Sequence, residues 1–281
     1  MTQRQKGQIW GMCDEDIKTF VDNLVAKINL ELGHNLIGVY LHGSLAMGAY
    51  YRPKSDIDLI VVVRNKLNIN QRKLASEMIA QHSLLRPTTG NIELSIILLK
   101  TARETPTPTP FEVHYSSRWH DKILFQGVDY SQNRFDPDLQ SHFAYVSQRG
   151  FVLKGFPINE VFSKVDWKLF LDSVLDDFDW IVEDEHILET PFYCVLNICR
   201  VLQLKSEDIQ QVHSKDEGGE WALRNLPKKY HSVIKKALVA YRSSKEVNES
   251  QRRTNEDNWD KQELLAFRDF ARGRSDNFKS V

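Results

Sequence analysis

Between Asp14 and Leu32 the apolar residues Ile17, Phe20, Val21, Leu24, Val25 and Ile28 recur every three to four positions, which predicts an amphipathic helix. The pattern then changes. "LIGVYLHG" (36–43) is a short β-rich run closing on a glycine, and "IDLIVVV" (57–63) is a second run of the same kind. Residues 70–84 return to helical spacing, and "NIELSIILL" (91–99), with Gly90 before it, predicts a third strand. Strand, turn, strand, helix, strand makes a mixed α/β core.

"TPTPTPFE" (105–112) is too rich in proline for a helix or a central strand and reads as a loop. Gly150 and "KGFP" (154–157) mark the next break, so the expected domains are 1–155 and 156–281. Beyond the break the spacing is helical: 165–188, 191–204, 215–225, 228–243 and 256–272, with Pro191 and Pro227 placed as helix starters. The last residues, "RGRSDNFKSV", are expected to fray.

The chain has 281 residues, 41% of them hydrophobic and 27% charged, ordinary for a soluble globular protein with a real core. Its formal net charge of −1 changes the picture more. Gripping a long nucleic acid draws on a basic excess that neutralises phosphates. None exists here, so a small-molecule substrate is expected and no nucleic-acid partner. The start "MTQRQKGQIWGMCDEDIK" lacks a basic-then-apolar leader, and no apolar run is long enough to cross a bilayer. No membrane association and a cytoplasmic location are expected. Of the three cysteines, Cys194 and Cys199 lie in an apolar helical stretch and read as buried packing thiols.

The candidate chemistry starts at "GSLAMGAYYRPKSDIDLIVVV" (43–63). Strand side chains alternate, so Asp56 and Asp58 project to one face with Ile57 behind them. Carboxylates so close repel unless a cation or proton lies between them. Glu93, inside an apolar strand, brings a third acid that is costly without a partner. Oxygen donors on rigid strands suit Mg²⁺, which takes a few carboxylates together with substrate phosphates. Gly43 lets backbone approach a ligand, Ser44 adds a hydroxyl and an N–H, and Ser55 adds another hydroxyl. Together these describe a nucleoside triphosphate site.

With these residues the chain resembles the nucleotidyltransferase superfamily, the β-polymerase-like fold whose signature is Gly-Ser, a spacer, then Asp-x-Asp. Through "YCVLNICRVL" (193–202) and "SKDEGGEWALRNLPKKY" (214–230) it resembles, more narrowly, the aminoglycoside adenylyltransferases that act on streptomycin and spectinomycin. The resemblance implies an α/β (α+β) nucleotidyltransferase domain with a mixed sheet, followed by an all-α helical bundle. It implies two Mg²⁺ ions on Asp56 and Asp58, Glu93 as catalytic base, and ATP as co-substrate near Ser44 and Ser55. It implies further that Lys215 and Tyr241 contact the nucleotide and that Trp119 stacks on the antibiotic. The match departs before "CVLNICR", where family members carry an acidic "DERN"-like segment and this chain reads "LETPFYC".

The acids of this chain come earlier, in "DDFDWIVEDEHILE" (176–189). Most form a solvated helix face, but Trp180 among them is a candidate floor for a cationic aminoglycoside, and Glu185 a candidate partner. Glu112, just after the proline loop, is a candidate acceptor contact. Arg200 reads equally as a structural ion pair or a phosphate contact. A site completed within one chain needs no second copy, so a monomer is expected. The alternatives are an enzyme of the same fold acting on RNA or on a protein, or a non-catalytic module with a vestigial site. Neutral charge argues against the RNA reading, and an intact Gly43, Ser44, Asp56, Asp58 and Glu93 against the vestigial one.

Overall fold

The computed structural model describes residues 7–255 and 257–275. They form two compact units. One comprises Gln8–Tyr50 and Ser55–Phe170; the other is built of the residues from Leu171 onward together with the short segment Tyr51–Lys54. The division falls at Phe170 and Leu171, further along the chain than the Gly-Pro break at 154–157 suggests.

In the first unit, helix α1 (Glu15–Leu32) leads into strand β1 (Leu36–His42) and the one-turn helix α2 (Gly43–Ala46). Strand β2 (Ile57–Val63), helix α3 (Ile69–Ser83) and strand β3 (Ile92–Leu98) follow, and the helical crossover makes β2 and β3 parallel. Helix α4 (Leu99–Glu104) precedes the short strands β4 (Pro110–Phe111) and β5 (Val113–Tyr115). Helix α5 (Ser117–Leu124), strand β6 (Arg134–Phe135), helix α6 (Leu139–Arg149), strand β7 (Phe151–Gly155) and the one-turn helix α7 (Ile158–Val161) complete the unit. The main sheet runs β5-β3-β2-β1-β7, every pair antiparallel except β2 with β3.

The two faces of the sheet differ. Val39 and Leu41 of β1, Ile57, Leu59, Val61 and Val63 of β2, and Ile92, Leu94 and Ile96 of β3 share one core with the predicted stripe of α1. This unit thus buries one helix face against alternate strand positions. The intervening residues, among them His42, Asp58 and Glu93, therefore project from the opposite face.

The proline stretch is more ordered than its composition suggests. Pro110 and Phe111 pair with Phe135 and Arg134, and Gln140 Nε2 donates to the Pro106 carbonyl (3.1 Å) and to Thr109 Oγ1 (2.8 Å).

In the helical unit, the helix predicted over 165–188 is broken in two: α8 (Trp167–Val182), which begins in the first unit, and the single turn α9 (His186–Glu189). Asp184 between them takes a φ of 42°, a left-handed conformation that Asp tolerates better than most residues. Helix α10 (Pro191–Ser206) opens on Pro191 as expected and is flanked by α11 (Lys215–Asn225) and α12 (His231–Arg242). At Gly218 a Cβ would lie 2.7 Å from the Arg200 backbone, so glycine lets α11 approach α10 closely. The last helix, α13 (Lys261–Ser275), starts later than predicted, because Asp260 Oδ1 accepts from the amides of Gln262 (2.8 Å) and Glu263 (3.0 Å). It also carries residues 272–275 of the tail expected to fray; residues 276–281 lie outside the described residues. Among the described residues no helix is long and apolar enough to cross a membrane.

Candidate active site

Strand register puts three polar side chains in one row. His42 of β1 is the partner of Asp58 on β2, and Asp58 is the partner of Glu93 on β3. Parallel neighbours in register bring the two carboxylates to one face at the heads of β2 and β3. Both residues are half-buried at the ends of otherwise buried strands. His42 is buried and its ring lies 4.8 Å from that of His142 on α6. Burial, and then the neighbouring His142, push its pKa well below the usual histidine value, so its ring stays neutral.

Asp56 stands just before the strand, where the chain is already registered against β3. Ile57 donates its amide to the Asn91 carbonyl (2.8 Å), and Asp56 Oδ1 accepts from the Asn91 amide (2.7 Å). That bond fixes the first aspartate. Among the described residues, no three His, Cys, Asp or Glu side chains form a ready-made metal cage. The carboxylates come together as the pair Asp58 and Glu93, with Asp56 held by backbone beside them. This donor set fits Mg²⁺: hard oxygens only, and like charges side by side that gain from a cation. Mg²⁺ completes its shell with water and substrate phosphate rather than an all-protein cage.

The Gly-Ser step is a turn of helix fitted against the same carboxylate. Gly43 has a φ of 66°, and a Cβ there would lie 1.8 Å from Asp58 Oδ2. Only a residue without a side chain admits both the left-handed backbone and the acid. Gly43→Ala is therefore expected to displace Asp58 and lower kcat/KM about a hundredfold, the cost typical of ångström-scale misplacement. Steady-state kinetics paired with a thermal melt checks this; an active Gly43→Ala enzyme would contradict the fit.

Other expected contacts of the first unit are engaged within it. Glu112 is buried, and its Oε2 accepts from Arg72 Nη2 (3.0 Å), Arg72 Nε (3.2 Å) and the Leu67 amide (2.9 Å). This is a structural ion pair tying the Phe111–Val113 segment to α3. Trp119 carries the Arg134 guanidinium 4.7 Å from its ring centroid and the Lys122 ammonium at 5.5 Å. Its ring already serves two cations of its own chain. Ser55, by contrast, is buried directly ahead of Asp56, and Ser44 follows Gly43 in α2.

In the helical unit Lys215 opens α11, whose start is set by a capping box: Ser214 Oγ accepts from the Glu217 amide (3.2 Å) and Glu217 Oε2 from the Ser214 amide (2.7 Å). Tyr241 is buried, edge-on to Tyr51 at 5.0 Å. Tyr51 donates its hydroxyl to Asp216 Oδ1 (3.0 Å), an acid also held by Arg242 Nε at 2.6 Å. Lys54 Nζ donates to the Lys245 carbonyl (2.8 Å), and burial lowers its pKa to about 8. These bonds fasten the segment that directly precedes Ser55 and Asp56 in the chain. Sequence spacing gave no sign of them, because they join residues 165 and 191 positions apart.

The acidic run separates by burial. Trp180 is part-exposed and stacked on His186 at 4.2 Å, and Glu185 is an exposed partner of Lys261 (3.3 Å). The acid drawn inward is Asp177. Burial raises its pKa against the opposing pull of Arg200, Lys215 and Arg253, and Tyr193 lies 3.5 Å away as a weak hydroxyl donor. Cys194 and Cys199 are buried as expected, and burial pushes the Cys194 thiol up to about 12.

A row of carboxylates heading two parallel strands, beside a Gly-Ser turn on a mixed sheet, defines a nucleotidyltransferase domain. Residues 25–107 match the family model described as "Polymerase beta, Nucleotidyltransferase". Residues 160–262 match a second, "Aminoglycoside adenylyltransferase, C-terminal domain". A spectinomycin 9-adenylyltransferase of Staphylococcus aureus is 23% identical over 75% of this chain and 79% of its own length. An aminoglycoside (3'') (9) adenylyltransferase of Escherichia coli is 23% identical over 82% of this chain and 87% of its own. Among solved structures, the spectinomycin adenyltransferase AAD(9) from Enterococcus faecialis, with ATP and spectinomycin, shares the fold. It has a TM-score of 0.69 at 20% identity, covering 91% of this chain and 99% of that one.

Proposed function

We propose that this enzyme transfers AMP from ATP to a hydroxyl of an aminoglycoside or aminocyclitol such as spectinomycin or streptomycin, with Mg²⁺. The observation that carries this reading is the register pairing of Asp58 with Glu93 beside Gly43. The names of the relatives and the second family model support the acceptor class. Asp56 and Asp58 would hold Mg²⁺, which when bound supplies charge neutralisation at the triphosphate. Glu93 takes the proton from the acceptor hydroxyl as its oxygen bonds to the α-phosphorus; the bond to pyrophosphate breaks and pyrophosphate leaves. In this reading Ser44 and Ser55 orient phosphate oxygens. Lys215 and Tyr241 are the nucleotide contacts of the helical unit, and its acidic face raises the local concentration of a polycation.

The test is incubation with MgATP and a panel holding spectinomycin, streptomycin and other aminoglycosides, followed by pyrophosphate release and product mass. The expected result is one acceptor gaining a single adenylyl group, with no product when EDTA removes the metal. Pyrophosphate release with no labelled antibiotic, and label on RNA or protein instead, would overturn the acceptor class.

A further inference from the structure

Two buried cations meet on one short segment. Tyr51–Lys54 folds as part of the helical unit, and at Ser55 the chain returns to the first unit. Lys54 is 5% exposed and Arg252 is 4% exposed, and charged side chains are seldom buried so far without specific partners. Lys54 Nζ donates to the Lys245 carbonyl (2.8 Å), and Arg252 Nη1 donates to the Lys54 carbonyl (3.3 Å). The stretch that supplies both partners is itself cross-tied, because Lys245 Nζ donates to the Asn255 carbonyl (3.2 Å). At the other end of the segment, the Tyr51 hydroxyl donates to Asp216 Oδ1 (3.0 Å).

This is a costly way to fill space. An apolar side chain of similar length would occupy position 54 without taking a charge out of water. What the polar ties add is direction. One fixes the Lys54 side chain and the other its backbone, each by a bond to a single carbonyl oxygen. Lys54 stands two residues before Asp56. Asp56 in turn meets the amide of Asn91 through Oδ1 (2.7 Å). A carboxylate that must share a cation with Asp58 tolerates little drift, since ångström-scale misplacement is expensive.

We infer that Lys54 is a positioning residue for Asp56, and that its anchorage on Lys245 and Arg252 sets the path by which the chain enters the metal site. Residues of the helical unit thereby govern divalent-cation affinity through the chain, not by supplying a ligand. The inference rests on the reading of Asp56 as a holder of Mg²⁺. Sequence reasoning passed Lys54 over, because its partners lie in the irregular stretch between α12 and α13.

The experiment compares the natural full-length protein with Lys54→Met, which keeps the length of the side chain and loses its charge, and with Lys54→Arg, which keeps a donor. Phe267→Leu, a core change against Tyr230 and Phe270, serves as a control for lost stability alone. In metal-free protein, exchange of the Asn91 amide proton followed by NMR reports its bond to Asp56. Lys54→Met is expected to speed that exchange about tenfold, the loss of roughly one hydrogen bond, with Phe267→Leu unchanged. With a non-hydrolysable ATP analogue present, Lys54→Met should weaken Mn²⁺ binding about tenfold, and Lys54→Arg should recover part of the loss. Unchanged Mn²⁺ affinity in Lys54→Met, unchanged Asn91 exchange, or an equal loss in Phe267→Leu would each overturn the positioning role. Should Lys54→Met fail to fold, Lys54→Gln gives the same comparison. Asp56→Asn separates this inference from the reading beneath it. Full Mn²⁺ binding by Asp56→Asn would sink the metal role of Asp56 and the positioning role with it. Loss of Mn²⁺ in Asp56→Asn but not in Lys54→Met would sink the positioning role alone.

Discussion

Replacing Asp58 by asparagine is expected to lower kcat/KM for AMP transfer by about a thousandfold or more while leaving the fold intact. Asn keeps the size and the strand position of the aspartate but lacks the charge that holds a divalent cation. Stability should move the other way. Asp58 and Glu93 are register partners with like charges, and directly opposed like charges destabilise a sheet by up to about 1 kcal/mol. Asp58→Asn relieves that repulsion, so its unfolding midpoint in urea should equal or exceed that of the natural protein. An inactive, more stable variant separates this residue from a structural one, whose loss would lower both quantities.

The second large effect belongs to Glu93. Glu93→Gln removes the proton acceptor and is expected to lower kcat about a hundredfold to ten-thousandfold, the usual range for a general base. The loss should fall on kcat, with KM for the acceptor little changed, because the amide still fills the same half-buried position on β3. Steady-state kinetics with saturating MgATP measures the split. Near-normal kcat in Glu93→Gln would remove Glu93 from the base role, whatever the fate of Asp58.

Most of what positions these two residues was legible in the chain. Alternation along "IDLIVVV" and "NIELSIILL" put Asp58 and Glu93 on one face, and the helical crossover between those runs set their strands parallel. The stripe of α1 and the starts of α10 and α11 followed from periodicity and, for α10, from Pro191. Spacing alone could not show how Asp56 is held, because its partner is the backbone amide of Asn91, just ahead of β3. Glu112 looked available to a substrate because its partner, Arg72, lies forty residues earlier on α3. Trp119 likewise meets its cations through folding, Arg134 arriving from β6. Within the acidic run, composition could not tell Asp177 from Glu185. Folding separates them: Asp177 is half-buried on α8, and Glu185 pairs with Lys261 in solvent. Local pattern specifies a strand and its two faces. Contacts between elements distant in sequence specify which polar groups remain for a ligand.

The central claim is that acids heading β2 and β3 bind a divalent cation together with a nucleotide. Its most direct measure is a Mn²⁺ titration followed by electron paramagnetic resonance, with a non-hydrolysable ATP analogue present. The natural protein should bind Mn²⁺ and deplete the free-ion signal, and Asp58→Asn should leave that signal at the level of nucleotide alone. Equal Mn²⁺ binding by both proteins would contradict the account.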